Sequence, residues 1–281
     1  MVFFDKKGGL CYLRKKVKVD NKWKTITIQS LDGEQIWSPQ LFNDKAEHIL
    51  AKLPNESIDL IITDPPYGIS FKTTQNRNKD FDVLYNDNSL EFLDGIGKEF
   101  ERVLKPDSHC YIFTRWDAYP KMRTYFDNLK INTVIIWDKD EGGTGMGDLA
   151  DYAPRYEMIM KFSKGRRPIN GNRSPNVIRH QDVRFTKEFK MHPTQKPRGL
   201  MEFLISKSSN PGDIVADFYG GSYSVPRAAM RTFRKSIGVE LNPQIHKSGV
   251  ELVNKDLHND PVFHIDWTAI KNITTNNTEI I

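Results

Sequence analysis

Apolar and polar residues alternate near the amino end of the chain. Val17 and Val19, then Trp23, Ile26 and Ile28, flank Asp20-Asn21 and predict a short hairpin. Ala46, Ile49, Leu50 and Leu53 recur at helical spacing until Pro54-Asn55, so residues 44–53 read as a helix. The run IDLIIT at 58–63 is short and β-branched, as a parallel strand covered on both faces is, and it leads into Asp64-Pro65-Pro66-Tyr67. Leu90, Leu93, Ile96, Phe100, Val103 and Leu104 share one helical face over 88–104, after which Lys105-Pro106-Asp107 should turn the chain into a strand at 109–114. A helix near 119–129 and strands at 133–137 and 157–162 follow. The last third alternates again: helix 197–208, strand 214–217, helix 224–233, strand 236–240, helix 243–257. Such alternation predicts an α/β fold with a doubly wound, mostly parallel sheet.

Composition narrows the class. With 281 residues, 38% hydrophobic and 27% charged, the chain can bury the core of a single catalytic domain. No run approaches the roughly 18 apolar residues of a membrane span, and residues 1–10 hold no sustained apolar stretch, so a cytoplasmic protein is expected. Cys11 and Cys110 are far apart and lack zinc-ligand spacing, which suits reduced thiols and no metal. The net charge of +5 permits a polyanionic partner. Its distribution says more: Lys161, Lys164, Arg166, Arg167, Arg173, Arg179, Arg184, Lys187 and Lys190 gather in a stretch that also carries Gly142, Gly143, Gly145 and Gly147. Residues 272–281 read as a polar tail.

Two segments carry candidate chemistry. An exocyclic amino nitrogen on a base is a poor nucleophile because its lone pair is delocalised into the ring, and acceptors on its protons draw that pair out. Asp64 supplies a carboxylate and Pro65 a carbonyl on a stiff backbone, since Pro65 and Pro66 fix φ and offer no competing N–H. Tyr67 offers an aromatic face on which a flipped base could stack. Alone, the tetrapeptide could also be an ordinary turn after a strand. The second segment, Asp217-Phe218-Tyr219-Gly220-Gly221-Ser222, takes a strand through a glycine turn into a helix, and Glu240 ends the next strand. Glycines admit a ligand close to the backbone and a terminal carboxylate can accept from ribose hydroxyls, so the layout suits a nucleoside-containing cofactor.

Together these segments resemble the β-class amino methyltransferases of DNA, in which the Asp-Pro-Pro-Tyr motif precedes the cofactor motif. The resemblance runs from about residue 43 to 254 through Asn43-Asp44, residues 58–68, Arg102-Val103-Leu104-Lys105-Pro106, Ile135-Ile136-Trp137-Asp138-Lys139, His192-Pro193-Thr194-Gln195-Lys196-Pro197, the glycine turn and Gly238-Val239-Glu240. It implies a Rossmann-like methyltransferase sheet in permuted motif order, with S-adenosyl-L-methionine as cofactor. Asp64, Pro65, Pro66 and Tyr67 would surround the target base. Asp44, Asp217, Phe218, Tyr219, Gly220, Gly221, Ser222 and Glu240 would line the cofactor pocket, with Thr194 and Lys196 at its edge.

The same resemblance divides the chain into an amino-terminal extension (1–42), a catalytic half (43–137), a target-recognition region (138–191), a cofactor half (192–258) and a tail (259–281). It implies restriction-modification chemistry on DNA, with duplex expected, no membrane, and a homodimer and a cognate restriction enzyme left open as partners. Adenine N6 is the expected target. Cytosine N4, RNA or single strands, and a non-catalytic DNA-binding protein of the same fold are the alternatives. One departure stands out: where the family has a second glycine in the turn, this chain has Tyr223, which would strain a left-handed backbone and weaken cofactor binding.

Overall fold

The computed structural model describes residues 39–67, 89–139, 155–183 and 195–259, together with Ala150, Tyr152 and the backbone of three amino-terminal strands. Those strands, β1 (Val2–Phe4), β2 (Cys11–Val19) and β3 (Lys22–Ser30), form an antiparallel sheet of their own. Val19 pairs with Lys22, which is the expected hairpin, and β1 extends it by one strand that the alternation did not announce.

The main sheet holds eight strands. In chain order its elements are β4 (Gln40–Phe42), α1 (Ala46–Leu50), β5 (Ile58–Thr63), α2 (Ile96–Val103), β6 (Leu104–Thr114), α3 (Tyr119–Met122), β7 (Lys130–Asp138), β8 (Tyr156–Lys164), β9 (Val177–Arg179), α4 (Arg198–Ser208), β10 (Ile214–Asp217), α5 (Ser224–Arg231), β11 (Lys235–Val239) and α6 (Pro243–Asn259). The spatial order is β4-β11-β10-β5-β6-β8-β7-β9. The pairs from β4 to β6 are parallel, β8 is antiparallel to both its neighbours, and β9 lies parallel to β7. The mostly parallel α/β sheet is therefore as expected, and β5 and β10, far apart in sequence, are neighbours at its centre.

Side-chain alternation explains why both faces are covered. On β5, Ile61 packs with Phe100, Val103 and Met160 on the α1–α2 side, whereas Leu60 and Ile62 pack with Leu200, Leu204 and Ala228 on the α4–α5 side. The continuous apolar run of the sequence is thus a strand buried twice. Each fully buried Leu or Ile of this kind contributes about 1.5–3 kcal/mol of transfer free energy.

Two local expectations are corrected. The helix read over 88–104 is broken: a 3-10 turn at Glu91–Leu93 precedes α2, because Gly95 takes φ of +76° between them. The turn read at Lys105-Pro106-Asp107 lies inside β6 as a bulge, where Ile58 pairs with Leu104 but Leu60 with His109. Asp107 absorbs the extra length at φ of +54°, and its Oδ1 accepts from the Arg166 N–H at 2.7 Å.

Candidate active site at the ends of the central strands

Because β5 and β10 run parallel side by side, their carboxyl ends deliver the Asp-Pro-Pro-Tyr loop and the glycine turn to the same edge of the sheet. A side-chain hydrogen bond joins them: Thr63 Oγ1, the last residue of β5, donates to Asp217 Oδ1, the last of β10, at 2.8 Å.

At the β5 end, Tyr67 Oη donates to Asp64 Oδ1 at 2.6 Å, and Lys196 Nζ donates to Asp64 Oδ2 at 2.5 Å. Lys196 also stands 3.1 Å from Glu157 Oε2, and Glu157 Oε1 is 2.7 Å from Lys139 Nζ. The result is a chain of alternating charge from Lys139 to Tyr67. Burial raises the Asp64 carboxyl and Lys196 only partly offsets it. Burial opposes the charge on Lys196, but Asp64 and Glu157 outweigh it and hold the ammonium protonated. Burial also raises the Tyr67 phenol, and the Asp64 charge beside it raises it further, so Tyr67 is a donor rather than a base. Pro65 is buried and Pro66 half-buried, which fixes this loop on the sheet.

At the β10 end, Asp217 Oδ1 also accepts from the Tyr219 N–H at 3.1 Å, yet burial lifts its carboxyl to about 7. Glu240, just beyond β11, accepts from the Gly221 N–H at 2.8 Å through Oε2 and from the Asn242 N–H at 2.7 Å through Oε1, and burial raises it as well. Gly220 donates its N–H to the Val239 carbonyl at 2.7 Å. Gly221 has φ of +50° with open space where a side chain would start, as a turn that admits a ligand needs. Ser222 is buried against Ser224, their hydroxyls 3.2 Å apart. The Tyr219 hydroxyl is buried without a hydrogen-bond partner among the described residues, and its ring meets Phe92 edge-on. Asp44 lies near the surface after β4, accepting from the Lys45 N–H and meeting His48 Nδ1, both at 2.8 Å; the backbone bond and then His48 hold it below the usual carboxylate range. Its neighbour Asn43 staples β4 to the end of β11 by donating to the Glu240 and Leu241 carbonyls.

Phe218, also expected in the cofactor pocket, follows β10 directly. Its side chain is buried in the core against Phe100, centroids 5.2 Å apart, because the strand alternation turns it inward; only its backbone remains for a ligand. Lys196, expected at the pocket edge, has its ammonium on Asp64. Thr194 lies outside the described residues. Tyr223 does take the left-handed backbone, at φ of +57°, but its ring does not enter the turn. It is fully buried in a cradle of Gly220, Gly238 and Gly249, any of which would clash with it if given a Cβ, and its hydroxyl reaches His246 Nδ1 at 2.6 Å.

The basic stretch divides. Lys161 is buried and donates to Asn132, with burial lowering it to about 8, and Lys164 caps the Glu101 and Leu104 carbonyls, so both serve the fold. Arg179 and Arg155 share Asp138. Arg184, Lys187 and Lys190 lie outside the described residues. Among the described residues no cluster of metal-ligating side chains occurs and no helix is long and apolar enough to cross a membrane.

Sequence reasoning missed Glu157 and Thr63. Glu157 carried a signal, being an acid set against the apolar run of β8. Trp116 is 66% exposed just past the end of β6, beside Arg115, whose charge is felt at Tyr67.

An α/β sheet whose two central strand ends carry Asp-Pro-Pro-Tyr and a glycine turn has the methyltransferase class of fold. The family model for DNA methylase matches residues 58–251, and the chain belongs to that family, whose methyl donor is S-adenosyl-L-methionine. It is 30% identical over 246 residues to the DNA adenine methyltransferase YhdJ of Escherichia coli K12, covering 74% of this chain and 80% of that one. It is 32% identical over 245 residues to the type II methyltransferase M.HpaI of Haemophilus parainfluenzae, covering 78% and 75%. Among solved structures, the M1.HpyAVI–SAM complex superposes with a TM-score of 0.62 at 22% identity, covering 77% of this chain and 99% of that one. The cytosine-N4-specific PvuII DNA methyltransferase superposes at 0.61 with 18% identity, covering 78% and 90%.

Proposed function

We propose that this methyltransferase moves a methyl group to N6 of an adenine swung out of DNA, and that Asp64, Pro65, Pro66 and Tyr67 form the base pocket. The observation that carries this reading is the placement of the Asp64 carboxylate, half-buried just past β5 and next to Thr63, whose hydroxyl bonds the residue that opens the glycine turn. An acceptor so placed faces whatever the turn holds. S-adenosyl-L-methionine supplies an electrophilic sulfonium methyl. Asp64 and the Pro65 carbonyl accept the amino protons, raising the nucleophilicity of the nitrogen, and their fixed positions remove reorganisation from the step. Asp217, Tyr219, Gly220, Gly221, Ser222, Glu240 and Asp44 form the cofactor side, where the open flank of Gly221 and the unpartnered Tyr219 hydroxyl leave room and a free donor.

Cytosine N4 presents the same two N–H donors, so the acceptors alone admit it. The test is incubation of the protein with unmethylated DNA and isotope-labelled S-adenosyl-L-methionine, followed by nucleoside mass spectrometry. Label is expected in N6-methyladenine and is expected to fall at least about 100-fold in Asp64→Ala. Label in N4-methylcytosine moves the reading to the other base, and label in neither, on duplex or single strands, overturns it.

A further inference from the structure

Both oxygens of the acceptor carboxylate are engaged before any base arrives. Tyr67 holds Oδ1 and Lys196 holds Oδ2, the latter at 2.5 Å. An ammonium presents N–H donors as an exocyclic amino group does, and it meets Asp64 where such a group would. Glu157 lies on the far side of that ammonium. Its Oε1 is taken by Lys139, and its buried Oε2, 3.1 Å from Lys196 Nζ, carries the longer of the two ion pairs that this ammonium makes. The ammonium, with three N–H donors, thus already spans both carboxylates and is seated more closely on Asp64 than on Glu157.

We infer that Lys196 is a place-holder for the target amino group, seated on Asp64 in the empty site, and that Glu157 Oε2 is the seat it takes when the base enters. The inference rests on the methyl-transfer reading above. It accounts for three features at once. Asp64, half-buried and desolvated beside Tyr67, needs a counter-charge when no base is present. The move between carboxylates keeps Lys196 paired throughout, while the amino protons of the base and the Tyr67 hydroxyl take over as donors to Asp64. Lys139 fixes Glu157 in place without using the oxygen that faces Lys196. Lys196 is then a positioning residue, and Glu157 acts only through it.

A place-holder competes with substrate, whereas a structural ion pair does not, and this separates the two by kinetics. In Glu157→Gln the second seat loses its charge and Lys196 stays on Asp64. The expected result is a fall of about 10-fold in kcat/KM for unmethylated duplex DNA, with affinity for S-adenosyl-L-methionine unchanged by calorimetry. In the double variant Glu157→Gln/Lys196→Met the trapped lysine is gone, and at pH 8.5 it should outrun Glu157→Gln several-fold. Glu157→Asp, which keeps the charge but withdraws the seat by one methylene, should fall between wild type and Glu157→Gln, and melting curves establish that each variant is folded. A double variant no faster than Glu157→Gln overturns the inference, as does a folded Glu157→Asp and Glu157→Gln pair with wild-type kcat/KM. Wild-type protein that labels neither base overturns the methyl-transfer reading itself, which is a different outcome.

Discussion

Asp64, half-buried just past β5, and Asp217, buried at the end of β10, are linked through Thr63, yet their surroundings answer the loss of water in different ways. Asp64 sits in a chain of full charges, with Lys196, Glu157 and Lys139 beyond it. Asp217 is met by dipoles, the Thr63 hydroxyl and the Tyr219 N–H, and the nearby Asp64 and Glu240 charges add to the burial that raises it to about 7. The proposed acceptor corner is therefore charged and assembled in advance. The proposed cofactor corner holds back its negative charge, which a cationic ligand would draw out.

Three changes would break or sharpen this contrast. The largest effect belongs to Tyr223. Its left-handed φ suggests that Tyr223→Gly would relieve about 1 kcal/mol of strain, but the ring fills the space left by three glycines. Removing it should cost a net 2–4 kcal/mol in urea unfolding, within the range for emptying an aromatic site, while Tyr223→Phe should cost about 1 kcal/mol for the bond to His246. A neutral Tyr223→Gly would mean that the cradle does not stiffen the cofactor corner.

Next comes Asp217→Asn, which tests the withheld charge. With its folded value near 7 and an ordinary value of 3.8, Asp217 binds more proton folded than unfolded between those limits. Wild-type stability should fall as pH rises through that window, with the cost complete above about 7. The variant does not titrate there, so its melting temperature should exceed that of wild type by roughly 2–4 °C at pH 8 and approach it at pH 5. A gap independent of pH would show that Asp217 is ionised throughout.

The smallest effect concerns Trp116, exposed just past β6 and next in sequence to Arg115. Trp116→Ala should leave stability within about 0.5 kcal/mol, since the ring is exposed, but should weaken DNA binding in a gel-shift or anisotropy titration by roughly 3–10-fold. Unchanged binding would place the DNA path elsewhere.

The sequence made the central strands plain because their residues are apolar on both faces: 58–63 and 214–217 fall where the structure has β5 and β10. The acceptor loop and glycine turn were legible as local motifs, and their chain order carried the family resemblance. What escaped was non-local or depended on backbone sign. The break at Gly95 and the bulge at Asp107 are positive-φ events that apolar spacing does not register. Lys196 was read from its own segment as an edge residue, because nothing in linear sequence shows that Asp64 and Glu157 converge on it. Phe218 was assigned to the pocket by motif, although the alternation of β10 turns it into the core. Tyr223 was read as an intrusion because the three glycines that receive it are scattered along the chain.

The hydrogen bond between Thr63 and Asp217 makes the two corners a matter of strand register. A single-residue slip of β5 would turn Asp64 to the opposite face and carry the acceptor away from the donor. The connections between β5 and β10 have no such hold, since the two strand ends meet through the sheet and not through the chain that joins them. Chain order is thus a free variable for this catalyst, and the order of strands in space is the one that chemistry constrains.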